Sequence, residues 1–208
     1  MIEVFPQGLL SSNTYVVWDE HSLDCMIVDC GVEVNDVLPF ILEKGLNVKY
    51  VVLTHGHFDH AHFVRDYEKQ FSKAQIICHE KEKDVLYDPY ANLSAEGDTH
   101  FIYDCNYTYV KEGDLLTLGK KSDEECMIFQ ILSTPGHTPG SICLYDEKHQ
   151  IMLTGDTLFK RSYGRTDFKY GDMQQMFFSL RRLYRMDKNI TFYPGHNDPS
   201  TIGEETSR

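Results

Sequence analysis

Tyr50-Val51-Val52-Leu53-Thr54-His55-Gly56-His57-Phe58-Asp59-His60 couples a short apolar, β-branched run to four groups that bind cations. The run YVVLT reads as a buried strand. His55, His57, Asp59 and His60 fall within six residues at its end. Imidazole and carboxylate are the usual nitrogen and oxygen ligands of zinc, manganese and iron, so this stretch supplies nearly enough donors for two ions. In a loop leaving a strand, His55 and His57 can project the same way. Asp59 and His60 sit at the start of the following helix, so alternate pairs can face separate metals. The bland alternative is a helix start with charged caps, and more distant residues argue against it.

Three further candidates lie far along the chain: His137 in STPGHTPGS, Asp156 in LTGDTLF and His196 in FYPGHND. Each follows an apolar run that reads as a strand, Ile128 to Leu132, Ile151 to Leu153 and Ile190 to Tyr193 respectively. Side chains at the carboxyl ends of four strands can converge on one crevice, where layered α/β folds place their sites. The two Pro-Gly-His turns are built alike, with proline setting the bend and glycine permitting close backbone approach. His21, His79, His100 and His149 read as surface or hydrogen-bonded histidines. His62 follows His60 by two residues, which turns it about 200° around a helix, and it too reads as a surface group.

Further strands are read at Thr14 to Trp18, Met26 to Asp29, Gln75 to Cys78 and Ile142 to Tyr145. Met173, Met176, Phe177, Leu180, Leu183 and Tyr184 have the spacing of one buried helical stripe, with Arg181, Arg182 and Arg185 on its wet face. Weaker helices are expected at Val34 to Lys44, closed by Gly45 and interrupted by Pro39, and at His60 to Phe71. This alternation predicts sheets covered by helices, either doubly wound or as a sandwich of two sheets. Asp88 to Tyr109 is polar and tyrosine-rich with little period; it reads as an insertion-like loop, its tyrosines walling a pocket or packing as a satellite. The polar end TIGEETSR is expected to fray. No repeat or linker marks a boundary, so residues 1–208 read as a single domain.

The 208 residues carry 32 acidic and 20 basic side chains, a formal charge of −12. A diffuse acidic balance is the opposite of a nucleic-acid footprint, so no nucleic-acid partner is expected. No run approaches the roughly 18 to 20 apolar residues of a membrane span, and the start lacks a signal-peptide pattern, which predicts a cytoplasmic protein with no membrane partner. The six cysteines form no C-x-x-C pair and lie mostly in apolar runs, as reduced core thiols do. Cys126 and Cys143 have no basic context that would make them nucleophiles.

SSNTYVV, VDCG at 28 to 31, THGHFDH, TPGHTPGS, GDTLF, GRTDF at 164 to 168 and YPGHNDPST follow one another in order. Through these motifs the chain resembles the metallo-β-lactamase superfamily, in its small glyoxalase II-like hydrolase branch, from about Asn13 to Glu205. The resemblance implies an α/β, four-layer αββα sandwich of two mixed sheets. It implies one metal on His55, His57 and His137 and a second on Asp59, His60 and His196, with Asp156 bridging them. The cofactors it implies are two divalent ions, zinc in the first place, with iron or manganese as alternatives. Coordination lowers the pKa of water towards about 7 and so yields a nucleophile at neutral pH. The implied reaction is hydrolysis of a small acyl or thioester substrate. A thiol leaving group with a pKa near 8.5 needs little acid assistance, and Asp59 is the catalytic candidate that orients the attacking water and takes its proton. Thr54, Thr134 and Asp29 are candidate partners of the ligating imidazoles. A monomer or homodimer is expected.

Two departures narrow the expectation. The Asp-His pair continues with Ala61-His62-Phe63 rather than a small residue and glycines, and the chain ends soon after His196, where glyoxalase II proper continues into a helical glutathione-binding domain. Substrate contacts would then fall to Lys160 to Tyr163 and the tyrosine-rich segment, with Arg165 and Asp167 bracing the loop. The second enzymatic reading is a persulfide dioxygenase, which also carries GRTDF and would hold one iron on His55, His137 and Asp156; Gly195, where that branch has alanine, favours the hydrolase. A β-lactamase generally has cysteine at Asp156 and is exported, and flavin-linked diiron relatives have glutamate at His57. A noncatalytic metal-binding scaffold is the third reading, opposed by the complete ligand set.

Overall fold

A computed structural model describes residues 1–97, 99–120, 122 and 126–207. Fourteen strands and six α-helices are assigned among them. The first sheet takes β1 (Ile2–Phe5), β2 (Thr14–Trp18), β3 (Asp24–Val28), β4 (Asn47–Val52), β5 (Gln75–His79) and β6 (Tyr107–Val110) in that spatial order. The remaining strands are β7 (Leu115–Leu118), β8 (Met127–Ser133), β9 (Ile142–Asp146), β10 (Ile151–Gly155), the β11 (Leu158–Phe159) and β12 (Ser162–Tyr163) hairpin, β13 (Thr191–Pro194) and β14 (Ser200–Thr201). The second sheet runs β14-β13-β10-β9-β8-β7. Both sheets are mixed: β3 to β6 pair in parallel and β1 to β3 antiparallel, while β10 and β13 are the parallel pair of the second sheet.

The helices are α1 (Val34–Lys44), α2 (Phe58–Ala61), α3 (Val64–Gln70), α4 (Lys83–Leu86), α5 (Met173–Leu183) and α6 (Ile202–Thr206). Strand alternation explains the layers. In β2, Tyr15 and Val17 face the second sheet and pack with Phe129, Ile131 and Leu144. Val16 and Trp18 point the other way, into a cluster that includes Val37 and Ile41 of α1 and Tyr67 of α3. Because both faces of the strand are covered, its sequence is an apolar run rather than an alternation. On the outer face of the second sheet, Leu132, Met152 and Phe192 meet Met176, Leu180 and Leu183 of α5. The result is helix, sheet, sheet, helix, which resolves the alternatives that periodicity left open.

The structure corrects several sequence expectations. Helix α1 runs through Pro39 without a break. The single helix expected over His60 to Phe71 is two, α2 and α3, parted at His62 and Phe63. The segment 88–109 is not one loop: Tyr107 begins β6, Tyr103 is buried in the core, and the tyrosines stay out of the cleft described below. The C-terminal segment is tied down, since Ser200 and Thr201 pair with β13 and Ile202 is fully buried. All six cysteines are free, and only Cys105 is not buried. No described helix is long and apolar enough to cross a membrane.

The stripe on α5 is narrower than its spacing implies. Met176, Ser179, Leu180 and Leu183 are buried, whereas Met173 and Phe177 are more than half exposed. Leu183→Ala is therefore expected to cost about 2–5 kcal/mol, and Phe177→Ala to stay within about 0.5 kcal/mol. Urea unfolding of the two variants checks this, and equal losses would show that the buried face is misassigned.

Candidate metal centre

All seven sequence candidates gather where strands of both sheets end. His55, His57, Asp59 and His60 follow β4, with Asp59 and His60 inside the single turn of α2. His137 lies between β8 and β9, Asp156 directly follows β10, and His196 follows β13. Ligand atoms of His55, His57 and His137 lie within 4.8 Å of one another, as do those of Asp59, His60 and His196. His55, His60 and Asp156 form a third such group, so Asp156 sits between the two triads. Its carboxylate is 3.4 Å from His60 Nε2, 3.5 Å from His137 Nε2 and 3.6 Å from His196 Nε2.

Hydrogen bonds behind the imidazoles set their tautomers. The carbonyl of Arg165 can only accept, so His137 Nδ1 donates to it at 2.7 Å and Nε2 keeps its lone pair. Asp29 accepts from His60 Nδ1 at 2.8 Å, from the Thr54 hydroxyl at 2.8 Å and from the Thr54 amide at 2.7 Å. With its hydroxyl hydrogen directed at Asp29, Thr54 accepts from His55 Nδ1 at 3.1 Å. One carboxylate thus orients two rings. Asp29 does so from a left-handed backbone, φ 63°, which a short polar residue tolerates better than most. Thr134 has no such role: its hydroxyl pairs with Thr157 at 2.8 Å and with the Ser141 carbonyl, not with an imidazole.

Charge divides the basin. Burial drives the pKa values of His55 and His57 well below the usual imidazole range and lowers that of His137, assisted in each case by neighbouring imidazoles. These three are neutral donors. Burial also opposes charge on His60, but the carboxylates of Asp59, Asp156 and Asp29 outweigh it and hold the ring up to about 10. Burial pushes Asp59 up, yet His60, His196 and His57 hold it down at about 2. Burial opposes charge on His196 as well, but its bond to Asp59 and the Asp156 carboxylate raise it above the usual imidazole value.

His55 Nε2, His57 Nε2, His137 Nε2 and Asp156 Oδ1 are buried with no hydrogen-bond partner. Buried polar atoms are rarely left so, and three neutral imidazoles with a carboxylate suit a borderline divalent cation. A closer approach of the chain is achieved at Gly195, where a Cβ would stand 2.2 Å from Asp156 Oδ1 and 2.7 Å from His60 Cε1. Gly195→Ala is expected to displace Asp156 and weaken metal uptake by about 10-fold or more. Equilibrium dialysis against Zn²⁺ measures this, and an unchanged affinity would mean that the carboxylate does not bind there.

The centre opens into a cleft of about 720 Å³ walled by Leu10, Phe58, Leu93, Phe159, Tyr163 and Phe168. Ser162 and Tyr163 of the expected contact loop reach it, as do Leu93 and Glu96 from the tyrosine-rich segment. Arg165 holds Asp167 through two bonds, of 2.9 and 2.7 Å, and lies 4.2 Å from the centre of the Phe168 ring, so it braces the rim. His62 stands apart, edge-on to Phe101 and Phe63. His149 bonds to buried Asp146, and His79 to Ser133. Three supporting residues had no assigned role in the sequence reading. Ser12 donates to the Asp59 carbonyl at 2.7 Å. Asn13 donates to the carbonyls of Pro194 and Asn197 around the last Pro-Gly-His turn. Glu82 is fully buried between two ligand loops. Ser12 and Asn13 fall within the motif SSNTYVV at the start of an apolar strand, whereas nothing marks Glu82, which sits in the charged run HEKEKD.

The profile of the metallo-beta-lactamase superfamily matches residues 7–196. A hydroxyacylglutathione hydrolase, GloC, of Haemophilus influenzae is 31% identical over 208 residues, 98% of this chain and 94% of that protein. The crystal structure of the B3 metallo-beta-lactamase BLEG-1 superposes with a TM-score of 0.88 at 29% identity, covering 100% of this chain and 97% of the other. TTHA1623 in a di-iron-bound form gives 0.84 at 29% identity, covering 98% of each chain. With two mixed sheets between helices and a His/Asp cluster at the strand ends, the chain belongs to the metallo-beta-lactamase superfamily.

Proposed function

We propose that this protein is a metal-dependent hydrolase whose substrates are small thioesters and whose residues would hold two divalent ions, zinc in the first place. The observation that carries the reading is the set of four orphaned buried atoms on His55, His57, His137 and Asp156 beside a second complete triad. His55, His57 and His137 would hold one ion, Asp59, His60 and His196 the other, and Asp156 both. When bound, such a pair supplies a water of lowered pKa and positive charge for a carbonyl oxygen.

The chain's own contribution is orientation and proton handling. Arg165, Thr54 and Asp29 occupy Nδ1 of three imidazoles, so that a cation would meet each ring at Nε2. Asp59, whose Oδ2 lies 3.2 Å from His196 Nε2 and 3.5 Å from His60 Nε2, faces the cleft as the carboxylate that receives the proton of the attacking water. Phe58, Phe159, Tyr163 and Phe168 offer an acyl group an aromatic wall in the cleft. A thiolate departs without a dedicated acid. The name of the Haemophilus relative supports the thioester, and the di-iron relative supports two ions and leaves iron open.

The test is to strip the protein with a chelator, reload it with Zn²⁺, Mn²⁺ or Fe²⁺, and assay thioesters, lactones and phosphodiesters. Metal-dependent thioester hydrolysis with two ions per chain is expected. One iron per chain with persulfide-dependent oxygen consumption would establish the dioxygenase instead, and full metal loading without activity on any substrate would favour a scaffold.

A further inference from the structure

Glu82 is a buried carboxylate that belongs to neither triad and takes no part in the steps above. It lies one residue before α4, completely shielded from solvent. Its Oε2 accepts from the amide of Gly56 at 2.7 Å. Its Oε1 accepts from the amide of Gly140 and from the Thr138 hydroxyl, both at 2.6 Å. Gly56 stands between His55 and His57, and Thr138 and Gly140 follow His137. All three donors therefore come from the two loops that carry one triad. The other triad, Asp59, His60 and His196, rests instead on Ser12 and Asn13 and on Asp29, which it shares with His55 through Thr54.

A second observation concerns the glycines. A Cβ at Gly56 would stand 2.9 Å from Glu82 Oε2, and one at Gly140 would stand 2.8 Å from Glu82 Cγ, N and Oε1. Both loops thus approach Glu82 so closely that a side chain there would collide with it. The chemistry of the three donors also selects the residue type. Two N–H groups and a hydroxyl need an acceptor with several lone pairs, which an ionised carboxylate provides. A glutamine would turn its NH₂ towards at least one of those hydrogens. Burial favours the neutral acid and raises the pKa to about 7, whereas the bonds from Thr138, Gly140 and Gly56 favour the anion.

We infer that Glu82 is a positioning residue that locks the His55–His57 loop to the His137 loop and so sets the metal affinity of that triad and not of the other. The inference rests on the two-ion reading above. A group that merely supports the fold would, when altered, loosen both sites together or neither.

The test isolates each site. His196→Ala cripples the second triad and His137→Ala the first, and Glu82→Gln is added to both backgrounds and to the parent. Zn²⁺ affinity is measured by competition with a chromophoric chelator, alongside the melting of the metal-free proteins. In the His196→Ala background Glu82→Gln is expected to weaken binding about 10- to 100-fold, and in the His137→Ala background to change it less than about threefold. Thr138→Val removes one donor while keeping the volume. It should reproduce the selectivity at a smaller size, and it answers the question should Glu82→Gln fail to fold. Equal weakening in both backgrounds, or none in either, would overturn the inference while leaving the two-ion reading intact. A parent that binds no Zn²⁺ would overturn both.

Discussion

Asp156→Ala is expected to lower thioester turnover by roughly 10³-fold or more, about 4 kcal/mol of barrier, with little loss of folding stability. The carboxylate lies within 3.4 to 3.6 Å of imidazole nitrogens from both triads. Its Oδ1 has no hydrogen-bond partner, so truncation orphans no donor of the fold and removes only its charge contacts with the imidazoles. The effect is specific to the site: His149→Ala, which alters a contact to Asp146 at the far side of β9, should leave turnover unchanged. Steady-state kinetics and urea unfolding on both variants measure the contrast. Comparable losses of activity from both would show that the basin is not where the chemistry occurs.

Asp29→Asn is the second large effect, and it arises without touching a ligand atom. The three hydrogens aimed at the carboxylate come from the Thr54 amide, the Thr54 hydroxyl and His60 Nδ1. An amide can accept on one side only. With its NH₂ towards His60, the ring must move its hydrogen from Nδ1 to Nε2, where the lone pair is needed. With its NH₂ towards the Thr54 amide, two N–H groups collide in a buried space. Backbone strain does not complicate the comparison, because asparagine tolerates the left-handed conformation at this position as aspartate does. Metal affinity is expected to fall about 10- to 100-fold, and turnover at a fixed low metal concentration with it. Metal titrations followed by activity check this, and recovery of full turnover at saturating metal would confirm that the lesion lies in binding. An Asp29→Asn protein with the parent's affinity would show that the ring orientation is set elsewhere.

Much of this was legible in the sequence, for a physical reason. Ligand-forming side chains are confined to positions just past strand ends, and the strands themselves are apolar runs because both their faces are covered. His55 to His60, His137, Asp156 and His196 could therefore be read as one crevice from spacing and strand pattern alone, before any resemblance was used. The edge strands β1, β6 and β7 escaped because each is only four residues long, too short for a period to stand out. The α5 stripe was overread because helical spacing marks apolar residues without saying whether a sheet covers them. Thr134 was misassigned for a similar reason: it sits beside a ligand loop, but its hydroxyl is taken up by Thr157 and the Ser141 carbonyl.

What the sequence hid is the layer behind the ligands. Glu82 and the Arg165 carbonyl act across 58 and 28 residues of chain, through backbone groups that leave no compositional trace. Asp29 was visible as a candidate, but its two-ring role depends on Thr54 relaying its charge to His55. Such contacts are decided by the approach of loops, and only coordinates show them.

The central proposal is that seven side chains would hold two cations, with Asp156 between them. Anomalous diffraction from crystals of the metal-loaded protein tests it most directly. Two peaks about 3.5–4 Å apart, one against His55, His57 and His137, the other against Asp59, His60 and His196, with the Asp156 carboxylate between them, are the predicted result. A single peak at full metal saturation, or peaks lying outside this basin, would contradict it.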